Sequence, residues 1–202
     1  MNRPHYTCGQ FYHFYNRGAH RRSIFCEEDN YIFVLRKMKH YCRKLALTLI
    51  AYCLMPNHYH WLIRQDGEHR AGLLPQRVFN SYTKAYNKRY DHSGTLFEGN
   101  YKVIHVQEEA HLLHLCRYIH ANPVKDGLVA RLTDWPYSNY PEWIGIREGT
   151  LVNRAFIRAY FETPDAYRRF VRDYLEMRRE SEYLNYLEGF SQVGRTSEVR
   201  PT

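Results

Sequence analysis

Residues 46–64 hold two strand-length runs joined by a three-residue turn, and this hairpin limits the folds open to the chain. The first run, 46–54 (Ala-Leu-Thr-Leu-Ile-Ala-Tyr-Cys-Leu), is apolar in the manner of a buried strand. Met55-Pro56-Asn57 turns the chain, and 58–64 (His-Tyr-His-Trp-Leu-Ile-Arg) forms the next strand. A strand and a helix precede the hairpin. Residues 9–16 are β-prone and end at Gly18, whereas 27–45 open on Glu27-Glu28-Asp29 and carry Ile32, Leu35, Met38 and Cys42 at helical spacing. The same pair follows it: 74–90 read as a helix ended by Asp91-His92-Ser93-Gly94, and 95–106 return to strand. A last helix spans 108–122 and stops at Pro123. The order β-α-β-β-α-β-α predicts a ferredoxin-like α+β sandwich, one antiparallel sheet with helices on one face.

A length of 202 residues suits one domain with a small appendage. The expected division is a domain over 1–144, a helical extension over 145–190 (helical pattern at 153–188), and a disordered polar tail over 191–202. Asp134-Trp135-Pro136-Tyr137-Ser138 is a turn-rich aromatic stretch expected to pack back on the domain. No run of about 18 apolar residues is present, so no membrane span is expected. The first residues lack an apolar stretch of the secretory kind. Five scattered cysteines with no Cys-x-x-Cys fit reduced thiols in the cytoplasm better than a disulfide framework.

The formal net charge of +8 sits in one half of the chain. Residues 1–107 carry 16 Lys and Arg against 7 Asp and Glu, and the remainder carries 13 against 14. A one-sided cationic excess suits a polyanion, because neutralising phosphates releases counterions. Aromatics make up 16% of the chain, with 19 Tyr, and they are interleaved with the cations. Phe11, Tyr12, Phe14 and Tyr15 lie among Asn16, Arg17, Arg21 and Arg22; Tyr82, Tyr86 and Tyr90 lie among Lys84, Lys88 and Arg89. Unpaired bases stack on aromatic faces while cations hold the backbone, so the mixture points to single-stranded nucleic acid.

Two constellations carry chemistry. On a strand, residues i and i+2 share a face, so His58 and His60 project together at a spacing suited to one metal ion. His-x-His alone is a weak motif; a zinc reading would add Cys53, but no fourth ligand stands at a typical spacing. Two imidazoles with an oxygen ligand leave positions open for water and phosphate, as Mg²⁺ or Mn²⁺ prefers. On the last helix, Tyr118 and Asn122 lie one turn apart on a face shared with His111 and His114, while Leu112, Leu115, Cys116 and Ile119 form the face for the sheet. The Asn122 amide oxygen could complete a His-His-Asn site beside the Tyr118 phenol, a poor nucleophile unless the phosphate it attacks is polarised. Tyr82, Tyr86 and Tyr90, at i, i+4 and i+8, are rival tyrosines whose spacing more often means packing or base stacking.

The segment Cys53-Leu54-Met55-Pro56-Asn57-His58-Tyr59-His60-Trp61-Leu62-Ile63 resembles the His-hydrophobic-His strand of single-tyrosine HUH transposases, IS200-like, and is most similar to the REP-associated tyrosine transposases. Four more segments resemble that family in its order: His13-Phe14-Tyr15-Asn16-Arg17-Gly18, Tyr86-Asn87-Lys88-Arg89-Tyr90, Ser93-Gly94-Thr95-Leu96-Phe97-Glu98-Gly99 and Tyr118-Ile119-His120-Ala121-Asn122-Pro123-Val124-Lys125. They cover about residues 8–140. The chain departs from the pattern at Tyr59, bulkier than the family's usual aliphatic residue but compatible with it, and at Asn100, where the family often has an arginine.

The resemblance implies that His58, His60 and Asn122 bind one divalent metal, Mg²⁺ or Mn²⁺, and that Tyr118 attacks a scissile phosphodiester. The product would be a 5′-phosphotyrosine and a free 3′-OH, so that a second 3′-OH can reverse the step as strand transfer. Single-stranded DNA near a hairpin of palindromic repeats would be the partner, with Asn16, Arg17, Arg22, Lys84, Lys88, Arg89 and Lys102 as DNA contacts. The protein would act as a monomer or homodimer. Two other classes compete: a hairpin-binding protein of transposase descent that does not cut, and a nuclease that uses activated water and forms no covalent adduct.

Overall fold

A computed structural model describes residues 4–177. The chain runs β1 (Phe11–Arg17), α1 (Glu28–Lys44), β2 (Leu47–Met55), β3 (His58–Gln65), α2 (Leu73–Arg89), β4 (Lys102–Val106), α3 (Glu109–Lys125), α4 (Tyr140–Trp143), α5 (Arg154–Tyr160) and α6 (Pro164–Met177). The strands form one antiparallel sheet in the order β2-β3-β1-β4. Both the expected α+β class and the ferredoxin-like order of elements hold.

The sheet has two apolar faces, and each gathers its own core. Tyr12, Phe14, Tyr59, Trp61 and Ile63 point to one side, where α1 and α2 supply Val34, Met38, Val78 and Phe79. Tyr15, Ala51, Cys53, Met55 and Leu62 point to the other and meet Leu112, Leu115, Cys116 and Ile119 of α3. Placing all helices on one face would leave the second group in water, at roughly 25 cal/mol for each Å² of apolar surface exposed. The first two helices do share a face, but α3 covers the opposite one. Phe156 and Ile157 of α5 and Tyr167, Val171 and Tyr174 of α6 join the same cluster as α3.

Three boundaries differ from expectation. α3 runs through Pro123 to Lys125, because a proline in the last turn forfeits one hydrogen bond, and the Asp126 N–H still reaches the Asn122 carbonyl. Of 95–106 only Lys102–Val106 is strand. The stretch before it bends at Gly94 and Gly99, whose φ angles of +93° and +70° lie outside the range of a strand. The helical pattern at 153–188 divides at 161–163, where Pro164 starts α6, and its part beyond 177 lies outside the described residues, as does the 191–202 segment. Among the described residues no helix is long and apolar enough to cross a membrane.

The aromatic stretch 134–138 does pack back, along the outer edge of β2. Tyr137 stacks on Tyr31 with centroids 3.7 Å apart, and the Trp135 indole N–H donates to the Leu54 carbonyl at 3.1 Å. Next to it, the fully buried Asn139 ties three elements together. Its Oδ1 accepts from the Tyr52 N–H (2.8 Å) and His120 Nε2 (2.8 Å), and its Nδ2 donates to the Ile50 carbonyl at 2.9 Å. A register shift between Leu49 and Ala51 opens that carbonyl, and the Trp143 indole also donates to it at 3.1 Å. Asn139 Oδ1 accepts, so His120 Nε2 carries the proton, and Nδ1 accepts from the Tyr167 hydroxyl at 2.5 Å. The β2 edge, α3 and α6 are thus joined by one buried polar network. Replacing Asn139 with Ala strands a peptide N–H and a ring N–H together, so we expect urea denaturation to show a loss of about 2–4 kcal/mol.

Candidate active site

The alternation of β3 sends His58 and His60 toward α3 and sends Tyr59 and Trp61 the other way. Both imidazoles are fully buried. Across the sheet His58 pairs with Arg17 and His60 with Tyr15, which in turn pairs with Lys102, so these residues share one face at one end of the sheet. From above, α3 brings Tyr118 and Asn122, also fully buried. The rings of His60 and Tyr118 meet edge-to-face with centroids 5.4 Å apart, and those of His58 and His60 lie 5.2 Å apart at 82°. The four residues singled out for chemistry therefore converge, although Tyr118 lies on a covered face of α3. That helix is buried on both sides because α6 packs against the side away from the sheet. There Arg117 lies over Phe170, 4.5 Å from its centroid, and His114 meets Tyr174 at 5.5 Å.

The two histidines are held by partners behind them. Asn57 Nδ2 donates to the Arg21 carbonyl, so its Oδ1 faces His58 and accepts from Nδ1–H at 2.7 Å. His60 Nδ1 lies 3.0 Å from Nε2 of the buried His13. With these contacts made, the ring atoms aimed at α3 are His58 Nε2 and His60 Nε2, and neither forms a hydrogen bond. Asn122 uses Nδ2 to donate to the Tyr118 carbonyl at 2.9 Å, which leaves its buried Oδ1 without a hydrogen bond as well. With His60 in the tautomer that donates Nδ1–H to His13 Nε2, three buried lone-pair atoms stand without donors, which is costly unless a cation meets them. Two imidazole nitrogens and an amide oxygen form a donor set that fits one divalent ion. Among the described residues no three His, Cys, Asp or Glu side chains gather as a metal cluster, so the fit rests on the amide. Cys53 shares this face of the sheet, but burial keeps its thiol protonated far above the usual range, which argues against a zinc thiolate.

Electrostatics keep the imidazoles neutral. Burial pushes His58 down to about 3, with the charges of Lys125 and Arg17 adding to the effect and Asn122 opposing it. Burial also holds His60 well below the ordinary value, aided by His58, His13 and Lys125. Neutral rings at pH 7 keep their lone pairs available for a cation. The ammonium of Lys125 also sits 5.1 Å from the centre of the Tyr118 ring. Two cations, Lys125 and Arg17, thus border the site, and Arg17 is ion-paired with Glu98.

His13, Asn57 and Lys125 were not among the residues singled out from sequence. The signals were present: His13 follows the i, i+2, i+4 alternation with Tyr15 and Arg17, and Lys125 extends the Tyr118, Asn122 face at i+7. The proposed DNA contacts divide. Arg17 and Lys102 stand on the histidine face, and Arg22 is exposed in the turn beyond it. That turn is tight: a Cβ on Gly18 would lie 2.0 Å from the Arg22 carbonyl oxygen. Lys84, Lys88 and Arg89 sit on α2, across the sheet, where Arg89 pairs with Glu27 (2.7 Å) and Asp29 (3.3 Å) of the α1 start. Asn16 is buried on the α2 side and holds the Gly99 carbonyl at 3.1 Å. The rival tyrosines also lie across the sheet: Tyr82 bonds the Ile24 carbonyl, Tyr86 lies 3.4 Å from Cys26 Sγ, and Tyr90 bonds Asn30 at 3.2 Å.

Comparison with known proteins agrees with this architecture. The family model described as "Transposase IS200 like" matches residues 7–122. The chain belongs to the IS200-like transposase family. A Haemophilus influenzae (strain Rd) protein named as a REP-associated tyrosine transposase is 27% identical over 113 residues, which are 50% of this chain and 64% of that relative. The chain therefore spans somewhat less than two thirds of that relative's length. In structure the chain is similar to a REP-associated tyrosine transposase solved bound to a REP hairpin. The TM-score is 0.62 at 19% identity, over 76% of this chain and 93% of the other, a likeness of fold.

The buried histidines make stability depend on pH. Burial lowers His13 to about 3, His114 to about 4 and His120 to about 4, and all three rings are near 6.5 once unfolded. Below pH 6.5 the unfolded chain takes up protons that the folded chain refuses, so stability falls as pH drops toward 4. His120 alone accounts for up to about 3 kcal/mol once pH is below its folded value. Urea midpoints measured in EDTA from pH 7.5 to 4.5 are expected to fall steadily below pH 6.5; a flat profile would show that these rings are not held neutral.

Proposed function

We propose that this family member cuts single-stranded DNA beside a hairpin with Tyr118 as nucleophile and rejoins it by strand transfer. The observation that carries the reading is the seating of Tyr118 and Asn122, one helical turn apart, directly over His58 and His60. The buried donor-atom set of Asn122 Oδ1 and the two Nε2 atoms, none of them hydrogen-bonded, supports a divalent-ion requirement. Mg²⁺ or Mn²⁺ held by these atoms would polarise the scissile phosphodiester and fix its orientation.

The chain's own groups supply the rest. Tyr118 Oη loses its proton as it attacks phosphorus in line, the P–O3′ bond breaks, and the 3′-oxygen takes up one proton and leaves as a hydroxyl, so the step is proton-neutral. The phosphoryl group remains on the tyrosine as a 5′-phosphotyrosine. Lys125 over the phenol ring and Arg17 beside His58 place positive charge where the phenol oxygen and the phosphate become more negative. Asn57 and His13 orient the two imidazoles from behind. The tyrosine and both histidines are fully buried, so a phosphate reaches Tyr118 only once the groups covering the site move aside. This burial also favours a second reading, a protein that binds the hairpin and leaves it uncut.

Denaturing gels of the protein with end-labelled hairpin DNAs from palindromes beside its own gene, with and without Mn²⁺, separate these readings. The expected result is a metal-dependent, heat-stable protein–DNA band that Tyr118→Phe removes. Cleavage that survives Tyr118→Phe with no band would indicate a water-using nuclease, and binding with neither band nor cleavage would favour the second reading.

The support behind the histidines is testable without turnover. His58→Ala or His60→Ala is expected to abolish Mn²⁺ binding in a calorimetric titration, and His13→Ala to weaken it about 10–100-fold. Unchanged Mn²⁺ affinity in His58→Ala would remove the metal assignment.

A further inference from the structure

On the α2 side of the sheet, at the end that carries His58, lies a cavity of about 190 Å³. Its inner wall is aromatic: Tyr59 stacks on Phe79 at 4.3 Å, and Phe97 meets Phe79 edge-on at 4.8 Å. Its rim is made of amides, Gln76 and Asn80 from α2 and Asn100 from the loop before β4. All three amides are exposed. The fourth amide, Asn16, has its hydrogen bonds filled by the Gly99 carbonyl and the Arg17 N–H, and serves to anchor that loop to β1. No lining residue is charged.

We propose that this cavity receives one unpaired nucleobase of the DNA strand that passes the candidate active site. The inference rests on the transposase reading and adds to it a base-reading subsite. A planar base needs a flat apolar surface to replace the stacking it loses, and aromatic side chains provide one. Its edge presents neighbouring donors and acceptors, which carboxamides match because each offers an N–H₂ and a C=O. The volume admits one ring system and excludes a base pair. The absence of charge in the lining fits a base and disfavours a phosphate, which the cations elsewhere would hold.

Position supports the same occupant. Asn16 and Arg17 are consecutive on β1, so their side chains leave opposite faces: Asn16 enters the cavity and Arg17 borders His58. Glu98, which pairs with Arg17, is flanked by the cavity residues Phe97 and Gly99. A strand crossing this end of the sheet can leave a phosphate on the histidine side and turn a neighbouring base around the rim. Tyr59 and Asn100, the two positions at which the sequence departs from the family's motifs, both line this cavity. Tyr59 enlarges its aromatic wall, and Asn100 places a neutral amide where an arginine would add charge.

The test uses the full chain carrying Tyr118→Phe, in EDTA, so that binding is read without cleavage. Fluorescence anisotropy would compare single-stranded oligo(dA), oligo(dC) and oligo(dT) with an abasic tetrahydrofuran strand of equal length. The expected result is a spread of about tenfold among the three base-bearing strands, each tighter than the abasic strand. Adding Asn80→Ala and Asn100→Ala, both at exposed positions, should collapse that spread to within about twofold while leaving affinity for the abasic strand unchanged. A spread that persists in this variant, or equal affinity of the parent for all four strands, would overturn the assignment. Because no cleavage is involved, a protein that never forms a phosphotyrosine can still pass, and one that does form it can still fail.

Discussion

The two-residue period of β3 is the constraint on which the remainder of the molecule depends. His58, His60 and Leu62 face α3, while Tyr59, Trp61 and Ile63 face α1 and α2. A slip of one residue in its pairing with β1 would exchange the two sets, turning the imidazoles into an aromatic core and aromatic rings onto the donor atoms of α3. Register is secured on both sides, by β1 along seven pairs from Phe11–Arg64 to Arg17–His58 and by β2 from the Leu47–Gln65 pair to Met55–His58. The candidate active site therefore sits on the most firmly paired strand of the sheet.

That strand and the helix α3 above it share a deficit. Two imidazole nitrogens and an amide oxygen are buried without hydrogen bonds, at a cost on the order of 1–3 kcal/mol each in the absence of a cation. The surrounding structure sustains this because the helix above is held elsewhere. His120 is two residues from Tyr118 and bonds Asn139 and Tyr167, which fixes α3 to the β2 edge and to α6. Tyr118 lies covered because its ring faces the sheet, where it meets His60 edge-to-face. In the last turn of α3, next to Asn122, Pro123 removes one helical hydrogen bond.

What the sequence made legible follows the range of the interaction. The order of strands and helices, the shared face of His58 and His60, and the i, i+4 stacking of Tyr118 and Asn122 are local periodicities, and each is visible in a few consecutive residues. The second covered face of the sheet was less visible, because a helix that docks on the far side carries the same amphipathic pattern as one on the near side. The Asn139–His120–Tyr167 network joins residues 19 and 47 positions apart through buried side chains, and no local pattern announces it. His114 looked like a member of a polar face, yet it is packed on Tyr174, and His120, to which no local pattern gave a role, is buried in that network.

Charge was the least informative signal about place. Sixteen cations in the first half direct attention to a polyanion, but a count along the chain does not say which side of a sheet a cation reaches. Arg17 and Lys102 reach the histidine face because strand alternation sends them there, whereas Lys84, Lys88 and Arg89 leave from α2 on the other side. A strand held by both groups would have to wrap the end of the sheet near Gly18 and the loop before β4. Around that same edge the backbone atoms of Arg17 and Glu98 are hydrogen-bonded at 2.9 Å, and the amide-rimmed cavity opens just beyond. In the proposed reading the cations on the two faces lie along the path of one continuous strand, with the chemistry on one side of the sheet and the base on the other.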